Sequence, residues 1–223
     1  MNRIAVVVPA HDEESLLPGC LASLRAAARL VPVPVELVVV ADACADGTAT
    51  VAAAAGAEVV TVDARNVGRA RAAGVAHALR DGPEDLWVAS TDADSRVDHG
   101  WLRWQLAHAA AGAALVAGTV RVDDWSGWPP WLPARYESRY RRDRAHVHGA
   151  NLGFAARAYR MAGGFPAVTH DEDQLLVSRF RAIGERVVID GTCPVRTSSR
   201  PDGRAPHGFA AHLATLAATT AAG

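Results

Sequence analysis

The chain has 223 residues, half of them hydrophobic, with 23 basic against 24 acidic side chains and a net charge of -1; that balance offers no global field for nucleic acid or an anionic membrane, and no run approaches the ~18 apolar residues of a membrane span. Every basic residue is arginine, which excludes Schiff-base chemistry, pyridoxal phosphate attachment and a Walker-type lysine, so bound phosphate must meet arginine, backbone amides or metal. Cys20, Cys44 and Cys193 are odd in number and far apart, suggesting neither a disulfide framework nor a cysteine-based zinc site. The length suits one α/β domain spanning residues 1–223, and without a basic n-region ahead of an apolar run the expected location is cytoplasmic.

In chain order, Arg3 to Pro9 reads as a buried strand that Pro9 ends. Ala10-His11-Asp12-Glu13-Glu14-Ser15 follows, then a helical pattern through Leu16, Leu17, Cys20, Leu21, Leu24 and Ala28, for which Glu13 and Glu14 read as first-turn acids. Val35 to Val40 is a second strand. It runs into Asp42 at its C-terminal end, with Asp46 and Thr48 as turn and cap residues before a helix of small side chains. Val59 to Val62 is a third strand. Arg65, Arg69 and Arg71 then straddle a loop and helix start, where guanidinium groups and free amides suit phosphate and a solvated helix face is the rival reading.

The fourth strand, beginning at Leu86, delivers Asp92 and Asp94 to its C-terminal edge. Strands alternating with helices predict a mostly parallel sheet flanked by helices, and that edge is where such sheets bind ligands. Two carboxylates one residue apart can reach one hard divalent cation, with diphosphate oxygens as further ligands; caps and solvated charges are the other source of an Asp-x-Asp.

Beyond residue 95, Trp101 and Trp104 fall on a helix and Ala113 to Val122 on a strand. Trp125-Ser126-Gly127-Trp128-Pro129-Pro130-Trp131 cannot be a helix interior or a central strand; a sugar-stacking lip, a membrane-surface contact and a packed loop remain open for it. Arg135 to Arg144 reads as an arginine-rich helix and is not taken as a nucleic-acid site. His170-Asp171-Glu172-Asp173 precedes a helix starting at Gln174, Val187 to Ile189 is a last strand, and residues 197–207 form a flexible segment. A short helix from Gly208 packs on the domain or on a second subunit, which leaves a homodimer open.

Four segments in order resemble family 2 glycosyltransferases, the GT-A fold. Val8-Pro9-Ala10-His11-Asp12-Glu13-Glu14 resembles that family's Pro-Ala-Tyr-Asn-Glu-Glu opening, and Ala41-Asp42 through Asp46-Gly47-Thr48 its Asp-Asp-Gly-Ser-x-Asp-Gly-Thr segment. Arg65-Asn66-x-Gly68-x-x-x-Ala72-x-Gly74 and Asp92-x-Asp94 follow at familiar spacing. His148-Gly149-Ala150-Asn151, Gly163-Gly164-Phe165 and Glu172-Asp173-x-x-Leu176 resemble later motifs of the same family.

The resemblance implies a nucleotide-sugar half over about residues 1–95 and an acceptor half over about 96–223. It assigns Pro9, Ala10, Asp12, Glu13, Asp42, Asn66, Arg71, Asp92, Ala93, Arg200 and Arg204 to the nucleotide sugar, with Asp42 on the base and Asp92 near the ribose. Asp94, with Asp92 and a candidate His207, would hold Mn2+ or Mg2+; a surface histidine is the other reading of His207. Asp173, beside Glu172, inherits the general-base role, and Gly149, Asn151 and Trp128 the acceptor side. Ala41 replaces the first acid of the usual pair, His11-Asp12 stands where Tyr-Asn is common, and the frequent Gln-x-x-Arg-Trp pattern is absent.

The implied reaction is metal-dependent sugar transfer to an acceptor hydroxyl with inversion. A UDP-sugar is the favoured donor, a GDP-sugar the alternative, the acceptor is unspecified, and a peripheral membrane or partner-enzyme contact is left open. Rival readings are a sugar nucleotidyltransferase, whose glycine-rich N-terminal loop Pro9 to Ser15 does not supply, and a nucleotide-sugar-binding module without turnover. A nicotinamide dehydrogenase would need a Gly-x-Gly-x-x-Gly turn after the first strand.

Overall fold

The computed structural model describes residues 1–80, 82, 85–142, 147–201, 203 and 208–219. A seven-stranded sheet carries the chain, in the order β3-β2-β1-β4-β8-β6-β9. Strands β1 (Arg3–Ala10), β2 (Val35–Asp42), β3 (Glu58–Val62) and β4 (Leu86–Ser90) are mutually parallel. β8 (Leu152–Ala155) runs antiparallel between β4 and β6 (Leu115–Ala117), and β9 (Val187–Ile189) closes the edge parallel to β6. A small second sheet joins β5 (Ser95–Arg96), β10 (Val195–Thr197) and β7 (Val120–Val122) in the order β5-β10-β7.

Alternation along the central strand sends side chains to both faces. Ile4, Val6 and Val8 pack with Leu17, Leu24 and Trp101 from α1 (Leu17–Ala28) and α4 (Trp101–Ala110), and α2 (Thr48–Ala54) adds Ala52 to that layer. Ala5 and Val7 face Ala70 and Val75 of α3 (Val67–Ala78), in one cluster with Tyr159 of α6 (Ala156–Met161) and Phe180 of α7 (Glu172–Ala182). Strands buried on both faces are why their sequences read as unbroken apolar runs.

Two expectations change. β1 does not stop at Pro9: pairing with β2 runs on through Pro9↔Val40 and Ala10↔Ala41, whereas pairing with β4 ends at Val7↔Ser90. Pro9 thus has a neighbour on one side only, the position a sheet tolerates for proline. The segment from Ala113 to Val122 is two strands, β6 and β7, in different sheets. Gly118 lies at the break, and a Cβ there would come within 2.2 Å of Asn151 Nδ2; the chain turns over a buried side chain that an uninterrupted strand would strike.

The tryptophan loop is a packed loop. Trp125 and Trp128 lie against a third apolar cluster formed by Leu132 and Tyr136 of α5 (Leu132–Arg142) and Leu213 and Leu216 of α8 (Phe209–Ala218). The terminal helix therefore buries its apolar face against its own chain. Trp131 alone of the three tryptophans is exposed, at 41%. Among the described residues no helix is long and apolar enough to cross a membrane.

Candidate active site

β2, β1 and β4 lie side by side and end together at Asp42, Ala10 and Ser90, so three loops leave the sheet at one C-terminal edge. A cavity of about 430 Å³ opens there, lined among others by Pro9, Ala10, His11, Glu13, Asp42, Asn66, Asp92, Ala93, Asp94 and Arg200. Nine sequence-predicted nucleotide-sugar or metal residues thus share one wall. The surrounding loops hold Asp12, Ala43, Arg65 and Asp171 in left-handed backbone conformations, a concentration typical of functional loops.

Asp42 organises the far side. Its carboxylate is 4% exposed and accepts the amides of Ala64 (2.7 Å), Arg65 (2.8 Å) and Asn66 (2.9 Å), fixing the loop before α3. Asn66 caps α3 by accepting from Arg69 N at 2.9 Å, while its Nδ2 donates to Val168 O at 2.7 Å. His11 lies 2.6 Å from Asp42 O through Nδ1. A carbonyl only accepts, so Nδ1 carries a proton, and Nε2 lies 3.9 Å from Asp12 Oδ2.

At the near side two arginines divide the carboxylates. Arg71 is 3% exposed; its guanidinium donates to Asp92 Oδ1 at 2.6 Å and to Glu172 Oε1. It therefore lies beneath the cavity, tying the end of β4 to the start of α7, and is absent from the cavity lining. Gly149 must lack a side chain because a Cβ would come within 2.3 Å of Arg71 Cζ. Arg200 donates through both terminal nitrogens to the two oxygens of Glu13, itself 5% exposed, and its Nη2 lies 3.5 Å from Asp94 Oδ2. Burial, reinforced by the charges of Asp92 and Glu13 and opposed by Arg200, pushes the Asp94 carboxyl up to about 7.

Asp173 stands in the first turn of α7 beside Glu172, next to the cavity and not on its wall. It accepts Gly149 N at 2.7 Å and Gln174 N at 2.7 Å. Burial raises its pKa, against the pull of Arg71. Two residues expected on the acceptor side are interior. Asn151 is fully buried: it accepts Trp101 Nε1 at 2.8 Å and donates to the carbonyls of Thr119 and Cys193, each at 2.9 Å. Gly149 is buried in the same 3-10 turn, Gly149–Asn151. Trp128, half-buried, donates Nε1 to Ser199 O, fastening its loop to the segment that carries Arg200.

Asp12, Cys44 and Asp46 are the one group of three or more ligand-type side chains found within 4.8 Å of one another among the described residues. Their bonds are those of a loop knot. Asp12 Oδ1 accepts Ala45 N at 2.7 Å, Asp46 accepts Glu14 N and Thr48 N, and Cys44 Sγ donates to Ala10 O. Asp94 and Asp92 instead face a cavity with room for a diphosphate, and two carboxylates there supply the hard oxygens that Mn2+ or Mg2+ takes; the donor chemistry fits the ion. Arg204 and His207, expected at phosphate and metal, lie outside the described residues.

The arginine–carboxylate pairs escape sequence reasoning because the partners stand 101 and 187 positions apart. A signal for Arg71 does exist: it stands on α3 between Gly68, packed against Glu172 and Pro166, and Gly74, packed against Val7 and Val40 of the sheet, so its face of the helix is covered. Thr197 and Ser198, at the start of the segment that the sequence places over a diphosphate, also line the cavity, as does Phe209, which no local pattern marks.

The sheet order, the shared C-terminal edge and the carboxylates at the end of β4 define a GT-A glycosyltransferase fold. The sequence profile of Glycosyl transferase family 2 matches residues 5–163, and the chain belongs to that family. An uncharacterized glycosyltransferase of Mycobacterium bovis is 31% identical over 189 residues, which cover 85% of this chain and 73% of that protein. S. aureus TarS 1-349, solved in complex with UDP-GlcNAc, superposes with a TM-score of 0.71 at 16% identity, over 98% of this chain; the chain spans 66% of that one. The mannosyltransferase PcManGT from Pyrobaculum calidifontis, solved with GDP-Man and Mn2+, gives a TM-score of 0.69 at 20% identity, covering 91% of this chain and 58% of that one.

Proposed function

We propose that the protein transfers a sugar from a nucleoside-diphosphate sugar, a UDP- or GDP-sugar, to an acceptor hydroxyl, with inversion. The carrying observation is the cavity itself. One sheet edge brings Asp42, Arg65, Asn66, Asp92, Asp94 and Arg200 onto a single wall, the mixture of hydrogen-bonding groups, carboxylates and arginines that a base, a ribose and a metal-bound diphosphate require. The solved relatives in complex with UDP-GlcNAc and with GDP-Man and Mn2+ support the donor class.

Asp94 is the proposed metal carboxylate, with Asp92 held toward the ribose by Arg71. A divalent cation, when bound, neutralises the departing diphosphate. Asp173 takes the proton of the acceptor hydroxyl as that oxygen bonds to the anomeric carbon and the bond to the diphosphate oxygen breaks. One base and no separate nucleophile correspond to single displacement. Glu172 acts through Arg71, keeping the base and the donor wall in one charged cluster.

Calorimetric titration of UDP and of GDP, each with and without Mn2+, into the wild type and Asp94→Ala tests the reading. Mn2+-dependent binding lost in the variant is the expected result. Metal-independent binding indifferent to Asp94, or no binding of either nucleotide, overturns it. Retention of configuration in the product, read by NMR, overturns the inverting step alone.

A further inference from the structure

Resting on that reading of the cavity, we infer that Thr169 contacts the nucleoside part of the donor and that Asn66 is a positioning residue acting through it. The family resemblance gives Asn66 to the nucleotide sugar directly, but both ends of its side-chain amide are engaged by the protein. Oδ1 accepts Arg69 N at 2.9 Å as the cap of α3, and Nδ2 donates to Val168 O at 2.7 Å, across 102 positions of sequence. Asp42 is committed in the same way, its carboxylate holding the amides of Ala64, Arg65 and Asn66.

These bonds join two loops of the cavity. The segment 166–172 runs along the first turns of α3 and is fastened there at three points: Pro166 O lies where a Cβ on Gly68 would stand 3.3 Å away, Val168 O takes the Asn66 amide, and the Glu172 carboxylate takes Arg71. Between the second and third points the chain is exposed, and Thr169 lines the cavity together with Asp42 and Asn66. Thr169 therefore stands at the Asp42 end, the end read as the place of the base and its ribose.

A threonine hydroxyl both donates and accepts, so it can bond a ribose hydroxyl or a base carbonyl where the engaged side chains of Asp42 and Asn66 have less to offer. Asn66 holds the carbonyl immediately before Thr169. Without that bond Thr169 occupies the wall only part of the time, and the apparent affinity for nucleotide falls by that fraction. The helix itself need not change: serine caps a helix about as well as asparagine but is too short to reach Val168.

The test is a double-mutant cycle on nucleotide affinity: wild type, Asn66→Ser, Thr169→Val and the double variant, each titrated calorimetrically with UDP and with GDP in the presence of Mn2+. For the nucleotide that the wild type binds, each single variant should bind about fivefold more weakly, the loss of one neutral hydrogen bond. The double variant should be no more than about twofold weaker than Thr169→Val, because both changes remove the same contact. A direct Asn66 ligand, or a change that loosens the whole site, would multiply with Thr169→Val instead. A further loss in the double variant beyond about twofold, or a single variant within about twofold of wild type, overturns the inference. Should Asn66→Ser fail to fold, Asn66→Asp, which also caps α3 and sets an oxygen against Val168 O, takes its place in the cycle under the same criterion. A wild type that binds neither nucleotide is the failure of the proposed function and carries this inference with it, whereas multiplying losses in a nucleotide-binding protein overturn this inference alone.

Discussion

Asp94→Asn should make the metal-free protein more stable and the donor site useless. The carboxyl at Asp94 is raised from 3.8 to about 7, first by burial and then by Asp92 and Glu13. An acid whose folded pKa lies above its unfolded value binds more protons when folded, so stability falls as pH rises between the two values. The loss begins near pH 4 and is complete above about pH 7. At ~1.4 kcal/mol per unit, the shift amounts to an upper figure of about 4 kcal/mol. Asp94 is 19% exposed, and residual hydration lowers the expected effect to ~2–4 kcal/mol.

Asparagine keeps the shape and removes the charge, while Arg200 retains Glu13 as its partner. Urea unfolding of both proteins in EDTA between pH 4.5 and 8.5 reads the difference. The variant's advantage should be small at the acid end, grow up to about pH 7 and then level off, and Mn2+-dependent nucleotide binding should vanish. A stability difference that is flat with pH, or a variant less stable than wild type at pH 8, refutes the reasoning. Stability given up at a functional carboxylate is the trade-off expected of a binding site.

Arg71→Met should cost ~3–5 kcal/mol of stability by leaving Asp92 and Glu172 without their shared cation; a urea midpoint equal to wild type refutes the clamp. Asp173→Asn should lower the transfer rate by ~10²–10⁴ while calorimetry finds nucleotide affinity unchanged, and a fall in affinity instead would make Asp173 a donor-site residue. Asn151→Ala should lower stability by ~2–4 kcal/mol, since Trp101 Nε1 and two carbonyls lose their partner inside the protein. A variant as stable as wild type but weakened only in acceptor KM would restore the acceptor role to Asn151.

The parallel half of the sheet was legible because each of its strands is written locally. The apolar runs at Ile4–Val8, Leu37–Val40 and Leu86–Ala89 are followed by polar residues at the point where each strand leaves the core, so Asp42 and Asp92 could be placed at the edge before any contact was known. The second half was less legible. β6 and β7 form one apolar run in sequence, and the feature that divides them is the closeness of Asn151 to Gly118, which local pattern does not encode. Trp125 and Trp128 read as lip, as membrane-surface contact or as packing until α5 and α8 supply a cluster to receive them.

Within the site, sequence conveys which residue types converge but not how their charges are shared. Asp92, Asp94, Glu13 and Glu172 look alike as acids in loops and helix starts, yet the fold sorts them by partner. Arg71 binds Asp92 and Glu172 from beneath, and Arg200 binds Glu13 and approaches Asp94 from the side. Burial, reinforced by Asp92 and Glu13, drives the Asp94 carboxyl up to about 7, and the cation nearest to it, Arg200 at 3.5 Å, is already engaged by Glu13. An incompletely satisfied carboxylate at the mouth of a cavity is the one best able to exchange its weak internal partner for an external cation. The metal role proposed for Asp94 therefore rests on an uneven division of two arginines among four acids, a division set by the crossing of α3, α7 and the Arg200 segment at one sheet edge.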